Sequence, residues 1–257
     1  MFKKKYGQNF LNNSLISNKI VNSLTITGKN ILEIGCGNLA LTNKIINKKP
    51  KKFICIEIDK DLIDEVQNSN NSKYILEQDA LIFNEIKAFQ NQSFSIISNL
   101  PFNISSLLLI KWINIQSNYK CINEMVLMFQ KELAERIISK ENTKKYGRIS
   151  LLSQAYFNVK KELIVKKAEF TPVPKVDAIV LKFTPLERKK IKVSNIKNLE
   201  KLSNFFFNDR RKKNKKKIKS LFSDEQITKN KYEKYFDLRP ENLNKEIFYE
   251  MSNLLLD

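Results

Sequence analysis

The chain has 257 residues, 42% of them hydrophobic, enough to bury the core of one large α/β domain with an appendage or of two domains. Its net charge of +19 points to an anionic partner such as nucleic acid or an acidic membrane, discounted because a chain so rich in Lys, Asn and Ile also reflects AT-rich codons. The lack of any histidine excludes an imidazole base or ligand, and Cys36, Cys55 and Cys121 form no C-x-x-C pair, so neither a zinc site nor a disulfide framework is expected.

A reducing, cytoplasmic compartment follows from that cysteine usage. No apolar run approaches the length of a membrane span. The basic start Met1-Phe2-Lys3-Lys4-Lys5 passes straight into Gly7-Gln8-Asn9, so no apolar signal core is expected.

In chain order, Leu15, Ile16, Ile20, Val21 and Leu24 recur at helical spacing over 12–24. Residues 30–35 read as a buried strand ending in glycine, 39–46 as a helix, and 53–58 as a second strand. A helix begins at Asp61, a polar loop covers 68–72, and Tyr74 to Leu76 forms a short strand. Residues 94–98 are a strand, followed by an apolar helix over 105–115 with Ser105 as its N-cap. A strand at 125–129 leads into a charged helix at 131–139, and 149–157 is helical. Two late strands, 162–165 and 178–183, flank the rigid connector Thr171-Pro172-Val173-Pro174-Lys175.

Alternating strands and helices predict a Rossmann-like, doubly wound, mostly parallel sheet over residues 1–185. From residue 186 no strands are predicted, and Ile196, Leu199, Leu202, Phe205 and Phe206 mark a helical face. Residues 186–257 therefore read as a small helical domain, ending in a helix over 247–256. It carries 19 basic and 11 acidic residues, net +8 against +11 for the longer first part. The charge is densest at 210–219, where eight residues in ten are basic. Arg210, Arg211, Lys212, Lys213, Lys215 and Lys216 are the candidate contacts to nucleic-acid phosphates; a solvated lysine-rich helix is the alternative.

Ligands of such sheets bind beyond the carboxyl ends of the strands. Four candidate groups, Gly35, Glu57, Asp79 and Asn99, fall at or just after predicted strand ends. In Leu32-Glu33-Ile34-Gly35-Cys36-Gly37 the glycines allow a sharp turn and a close ligand approach, and the next helix start favours an anionic group. Glu57 lies 22 residues after Gly35, a spacing suited to ribose hydroxyls. Both a dinucleotide and S-adenosylmethionine fit. The first also needs a substrate acid or base, often histidine. With the second, the amino-acid carboxylate lies at the loop, the ribose at Glu57 and the adenine near Asp79. Taken singly, Glu57 and Asp79 also read as a strand-end ion pair and a helix N-cap. In Ser98-Asn99-Leu100-Pro101-Phe102, the Asn99 oxygen and Leu100 carbonyl are two acceptors beside an aromatic face. They suit a flat base with an amino group, although the stretch alone also reads as an ordinary strand-to-helix turn.

These residues resemble the ribosomal RNA small-subunit adenine dimethyltransferases of the KsgA type over essentially the whole chain. The matching stretches are Tyr6-Gly7-Gln8-Asn9-Phe10-Leu11, Leu32 to Gly37, Ile56-Glu57-Ile58-Asp59, Gln78-Asp79-Ala80-Leu81 and Asn99 to Ser105. Gln130-Lys131-Glu132, Tyr146-Gly147-Arg148, Pro172 to Asp177 and Arg210-Arg211-Lys212 follow in order. The resemblance implies a methyltransferase domain with a helical C-terminal domain. It also implies N6-dimethylation of two adjacent adenosines in a loop near the 3′ end of small-subunit rRNA; a monomer with the immature small subunit as its partner is a separate expectation. It places Asn9, Leu11, Gly35, Glu57, Asp79 and Asn99 at cofactor and target base, with Gly37 in the cofactor loop and Asn99, Leu100 and Phe102 as the catalytic set. Cys36 stands where the family usually has proline, Asn38-Leu39 where Leu-Gly or Leu-Ala is common, and Phe102 where tyrosine is frequent. A large-subunit rRNA methyltransferase of the antibiotic-resistance type and a non-catalytic assembly factor on the same fold are the alternatives.

Overall fold

The computed structural model describes residues 6–66 and 71–255. The basic start, most of the 68–72 loop and the last residue of the expected final helix lie outside them. The chain forms two compact units, one of Met1–Ala134 with Asn158–Pro185 and one of Glu135–Phe157 with Leu186–Asp257.

The first unit opens with β1 (Phe10–Leu11) and α1 (Ser14–Asn22). Asn13 caps α1, its side-chain oxygen accepting from the Leu15 and Ile16 amides. There follow β2 (Asn30–Ile34), α2 (Thr42–Asn47), β3 (Lys52–Glu57), α3 (Lys60–Val66), β4 (Ile75–Glu77) and α4 (Glu85–Ala88). Then come β5 (Phe94–Asn99), α5 (Ser105–Tyr119), β6 (Ile122–Gln130) and α6 (Lys131–Ile137). After α7 (Arg148–Tyr156), the strands β7 (Phe157–Val165), β8 (Phe170–Thr171) and β9 (Ala178–Pro185) complete the sheets.

The main sheet has the order β4-β3-β2-β5-β6-β9-β7. From β4 through β6 its pairs are parallel, and β9 joins β6 antiparallel, Met125 facing Phe183 and Gln130 facing Ala178. The predicted doubly wound architecture is therefore present. Every residue of β2 is buried, as strands covered on both faces require. The chain winds outward from β2 through β3 to β4, then returns to β5 on the other side of β2. The crevice between β2 and β5 is thus the topological switch point where ligands bind.

Two local expectations are corrected. The helix predicted from Leu39 starts at Thr42, because Leu39 is left-handed (φ 62°) and its amide bonds the Cys36 carbonyl at 2.8 Å. Ser105 is the first residue of α5 rather than its cap, which is Ile104; the Ser105 hydroxyl donates to the Phe102 carbonyl at 3.1 Å. The pairing of β1 with β8 and the short α4 were not predicted. Both are too short to carry a period.

The second unit packs α7 with α8 (Ile196–Asn208), α9 (Lys215–Leu221), α10 (Asp224–Asn230) and α11 (Lys245–Leu254). The Phe206 and Phe248 rings meet edge to face at 5.5 Å, and Tyr146 meets Phe207 likewise at 6.0 Å. Such pairs contribute about 0.5–1.5 kcal/mol beyond their burial. Among the described residues no helix is long and apolar enough to cross a membrane, and no cluster of three or more acidic or Cys side chains is arranged to hold a metal.

Candidate active site

A solvent-open cavity lies at the carboxyl edge of the first unit's sheet. Gly35 and Gly37 after β2, Glu57 at the end of β3, and Asn99 with Leu100 at the end of β5 line it. Across from them lies the segment that precedes β1, including Gly7 and Asn9.

That segment is tied down at both ends. Phe10 and Leu11 pair antiparallel with Thr171 and Phe170, and the Asn12 amide reaches the Glu169 carbonyl at 3.0 Å. The Asn38 side chain donates to the Leu11 carbonyl at 3.3 Å, and that of Gln8 to Asp59 at 2.6 Å. Gly7 (φ 64°) has no room for a side chain, since a Cβ would sit 2.7 Å from Asn103 Oδ1. Gly37 (φ 49°) is constrained in the same way, because a Cβ would stand 2.8 Å from the Phe10 ring. The N-terminal segment thus closes on the loop after β5 at Gly7 and on the glycine loop at Gly37, and at both contacts glycine is the residue that fits.

Glu57 is 7% exposed. Its Oε1 accepts from the Ile58 and Asp59 amides, both at 2.9 Å, and its Oε2 faces the Cys36 thiol at 3.7 Å. One oxygen thus fixes the carboxylate, and Oε2 keeps capacity for another donor. Cys36 thus supplies a weak donor to this carboxylate. The loop it opens is closed by the Cys36 to Leu39 turn. Leu39 holds a left-handed backbone, a conformation that costs a non-glycine residue about 1–2 kcal/mol.

Asn99 donates its Nδ2 to the Asn9 carbonyl at 2.8 Å. That bond orients the amide, and its Oδ1 has no partner among the described residues. Asp79 lies two residues beyond β4, whose Glu77 is the register partner of Glu57. Its Oδ1 accepts from the Leu81 amide at 2.8 Å, leaving Oδ2 without a partner among the described residues.

Behind the loop, Glu33 is 1% exposed and accepts from the Thr42 hydroxyl at 2.8 Å. Burial pushes its carboxyl up to about 8, against the opposing hydrogen bonds from Thr42 and Cys55.

Of the residues singled out from sequence, Asn9, Gly35, Gly37, Glu57, Asn99 and Leu100 meet at this cavity. Leu11, Asp79 and Phe102 do not line it: Leu11 is 2% exposed in the core, and Phe102 packs half-buried against the same core. Tyr6, Ile58 and Leu62 line it but had no assigned role. For Ile58 the one sequence signal was an apolar residue next to a strand-end acid, and it is 42% exposed.

The basic run lies in the second unit and divides by role. Arg210 pairs with Glu241 and donates to the Thr143 and Lys144 carbonyls. Lys212 pairs with Asp209 and Lys213 with Asp237, while Lys215 lies over the Phe236 ring. Lys217 is buried, donating to the Phe206 and Asp209 carbonyls, and burial lowers its pKa. Arg211 and Lys216 are exposed, with no acidic partner among the described residues.

The arrangement fits S-adenosylmethionine. Gly35 and Gly37 bring side-chain-free backbone to the cavity wall, Glu57 offers a fixed buried carboxylate oxygen, and Asn99 offers an oriented amide oxygen. Comparison with known proteins agrees. The family model described as ribosomal RNA adenine dimethylase matches residues 1–256. The chain is 41% identical over 250 residues to ribosomal RNA small subunit methyltransferase A of Pelagibacter ubique, covering 97% of this chain and 95% of that protein. It is 37% identical to the protein of the same name from Wolbachia sp., with 98% and 92% covered. Among solved structures, a dimethyladenosine transferase from Plasmodium falciparum superposes with a TM-score of 0.75 at 27% identity, covering 94% of this chain and 95% of that one. The 23S rRNA methyltransferase ErmE, at 17% identity and a TM-score of 0.67 over 95% of this chain and 99% of that one, shares the fold.

Proposed function

The chain belongs to the ribosomal RNA adenine dimethylase family, and we propose that it transfers methyl groups from S-adenosylmethionine to the N6 amines of two adjacent adenosines near the 3′ end of small-subunit rRNA. When bound, the cofactor supplies an electrophilic methyl group on a sulfonium. Gly35 and Gly37 admit its amino-acid end, Glu57 Oε2 accepts from the ribose, and Asp79 Oδ2 accepts from the adenine amine. The exposed Ile58 side chain offers that adenine an apolar face.

The observation that carries the reading is the committed donor end of Asn99. With Nδ2 donating one hydrogen to the Asn9 carbonyl, the amide is oriented and Oδ1 is available to accept from a ligand. It therefore takes an amine and turns away a carbonyl, which selects adenine over guanine or uracil at this point. The target base must leave its stack to reach the site. Its N6 lone pair is delocalised into the ring. Acceptance of the two N–H bonds by Asn99 Oδ1 and the Leu100 carbonyl favours a pyramidal nitrogen with its lone pair aimed at the methyl group. Phe102 supplies a stacking face at about 1–3 kcal/mol. Catalysis would then be positioning and electrostatics, with the N6 proton that methylation acidifies passing to solvent, so that no strong base is needed in a chain lacking histidine.

RNA is held through the second unit, with Arg211 and Lys216 among the exposed cations that have no acidic partner among the described residues. The enzyme works as a monomer in the cytoplasm, on the immature small subunit.

The test is transfer of labelled methyl groups to under-methylated small subunits, followed by mapping of the modified nucleotides. Dimethyladenosine at two adjacent positions in the small-subunit rRNA is expected. Modification confined to large-subunit rRNA, or no transfer at all, overturns the reading.

A further inference from the structure

Lys111 lies on α5, outside the cavity, yet all three of its ammonium donors are committed. It reaches the Ala80 carbonyl at 2.8 Å, the Phe83 carbonyl at 2.5 Å and Glu85 Oε1 at 2.9 Å. Its side chain is 20% exposed and that of Glu85 only 2%. The Trp112 indole, fully buried on the next position of α5, donates to the same Glu85 oxygen at 2.9 Å.

The carbonyls that Lys111 holds belong to the turn that begins at Asp79. Asp79 Oδ1 accepts from the Leu81 amide, and the Asp79 carbonyl accepts from the amides of Ile82 at 3.2 Å and Phe83 at 3.0 Å. The turn is thus fixed by an anion at its start and by an ammonium at its carbonyls. Within the turn Ala80 and Phe83 are buried, while Ile82 is 75% exposed, so packing anchors its ends and Lys111 binds the carbonyls of those same two residues. The same α5 begins directly after Asn99 to Ile104, so one rigid element carries both the acceptor-base loop and the clamp on the Asp79 turn.

We infer that Lys111 is a positioning residue for Asp79, fixing the carboxylate that discriminates the adenine of the methyl donor. A surface lysine seeking solvent gains nothing from losing its rotamer freedom to three inward bonds. Here the bonds exchange that freedom for a fixed Asp79 Oδ2. The inference rests on the assignment of Asp79 to the adenine amine, and its test separates the two.

The experiment is calorimetric binding of S-adenosylhomocysteine and of S-inosylhomocysteine, in which a carbonyl replaces the 6-amino group, to the full chain and to K111M. Lys111→Met should weaken S-adenosylhomocysteine about tenfold, the scale of one lost charged hydrogen bond, and shrink the adenine preference by a similar factor. The kcat at saturating S-adenosylmethionine should stay within about twofold of the parent. An unchanged preference in K111M, with D79N abolishing it, makes Lys111 merely structural and overturns the inference. An unchanged preference in D79N overturns the Asp79 assignment itself. If K111M fails to fold because Glu85 is left buried and unpaired, the double variant K111M/E85Q keeps the Trp112 bond without that charge. It must show the same loss of preference, and retention of the parental preference counts against the inference.

Discussion

The side-chain nitrogen of Asn99 donates to the main-chain carbonyl of Asn9 at 2.8 Å, joining the end of a central strand to a segment ninety residues earlier in the chain. Without that bond the amide has two equivalent orientations, one presenting a donor to the substrate and one an acceptor. Removal of the amide in Asn99→Ala deletes the acceptor. Methyl transfer should fall by about 10²–10³ or more, the scale of losing one preorganised polar group. Cofactor affinity should largely survive. Parallel assays of transfer and of calorimetric cofactor binding decide; turnover near the parental rate refutes the role.

Glu57 sits in the wall of the cavity with one oxygen already fixed by two backbone amides. Its other oxygen is the one offered to a ribose. Substitution by Ala removes a charge-assisted acceptor worth about 1.5–3 kcal/mol, a loss of roughly 10- to 100-fold in affinity. Calorimetry with S-adenosylmethionine checks this. Unaltered affinity removes Glu57 from the ribose role.

Glu33 titrates at about 8 because it is buried behind the glycine loop. Below its unfolded value both states hold the proton and no stability is lost. As pH rises toward 8 the unfolded chain releases the proton first, so folding weakens, by an amount on the order of a few kcal/mol, and levels off once the folded carboxyl ionises. Glu33→Gln keeps an acceptor for Thr42 and cannot titrate. The parent should lose melting temperature relative to this variant between about pH 5 and 8, with no further divergence above. A difference that is constant with pH contradicts the assignment.

The basic run separates into positions that hold the second unit together and positions that do not. Arg210→Ala breaks its bonds to Glu241 and to two carbonyls, and should cost about 1–3 kcal/mol of stability in thermal unfolding. Replacement of Arg211 and Lys216 by Gln should leave stability within about 0.5 kcal/mol. Rather, it should lower the salt dependence of RNA binding by about 0.7 per charge removed. If the doubly neutralised chain keeps the parental slope, this surface does not hold RNA.

Much of this was written in the sequence, because it is local. Periodicity and composition determined alternating strands and helices, and the ends of β2, β3 and β5 fell where Gly35, Glu57 and Asn99 were expected. Glycines at positions 35 and 37 announced a sharp turn, and their positive φ angles bear that out. The missing histidines bounded the chemistry before any coordinate was known. Tertiary structure decided the rest, because each remaining feature depends on groups distant in the chain. The pairing of Phe10–Leu11 with Phe170–Thr171 carries no periodic signal, since a two-residue strand cannot show one. The direction in which Asn99 points its oxygen depends on a carbonyl at Asn9. Eight basic residues in a row of ten look alike as letters. Only the folded unit shows that Arg210 and Lys217 spend their donors on carbonyls while Arg211 and Lys216 remain free. Hydrogen-bond capacity is finite, and its allocation is a property of the fold.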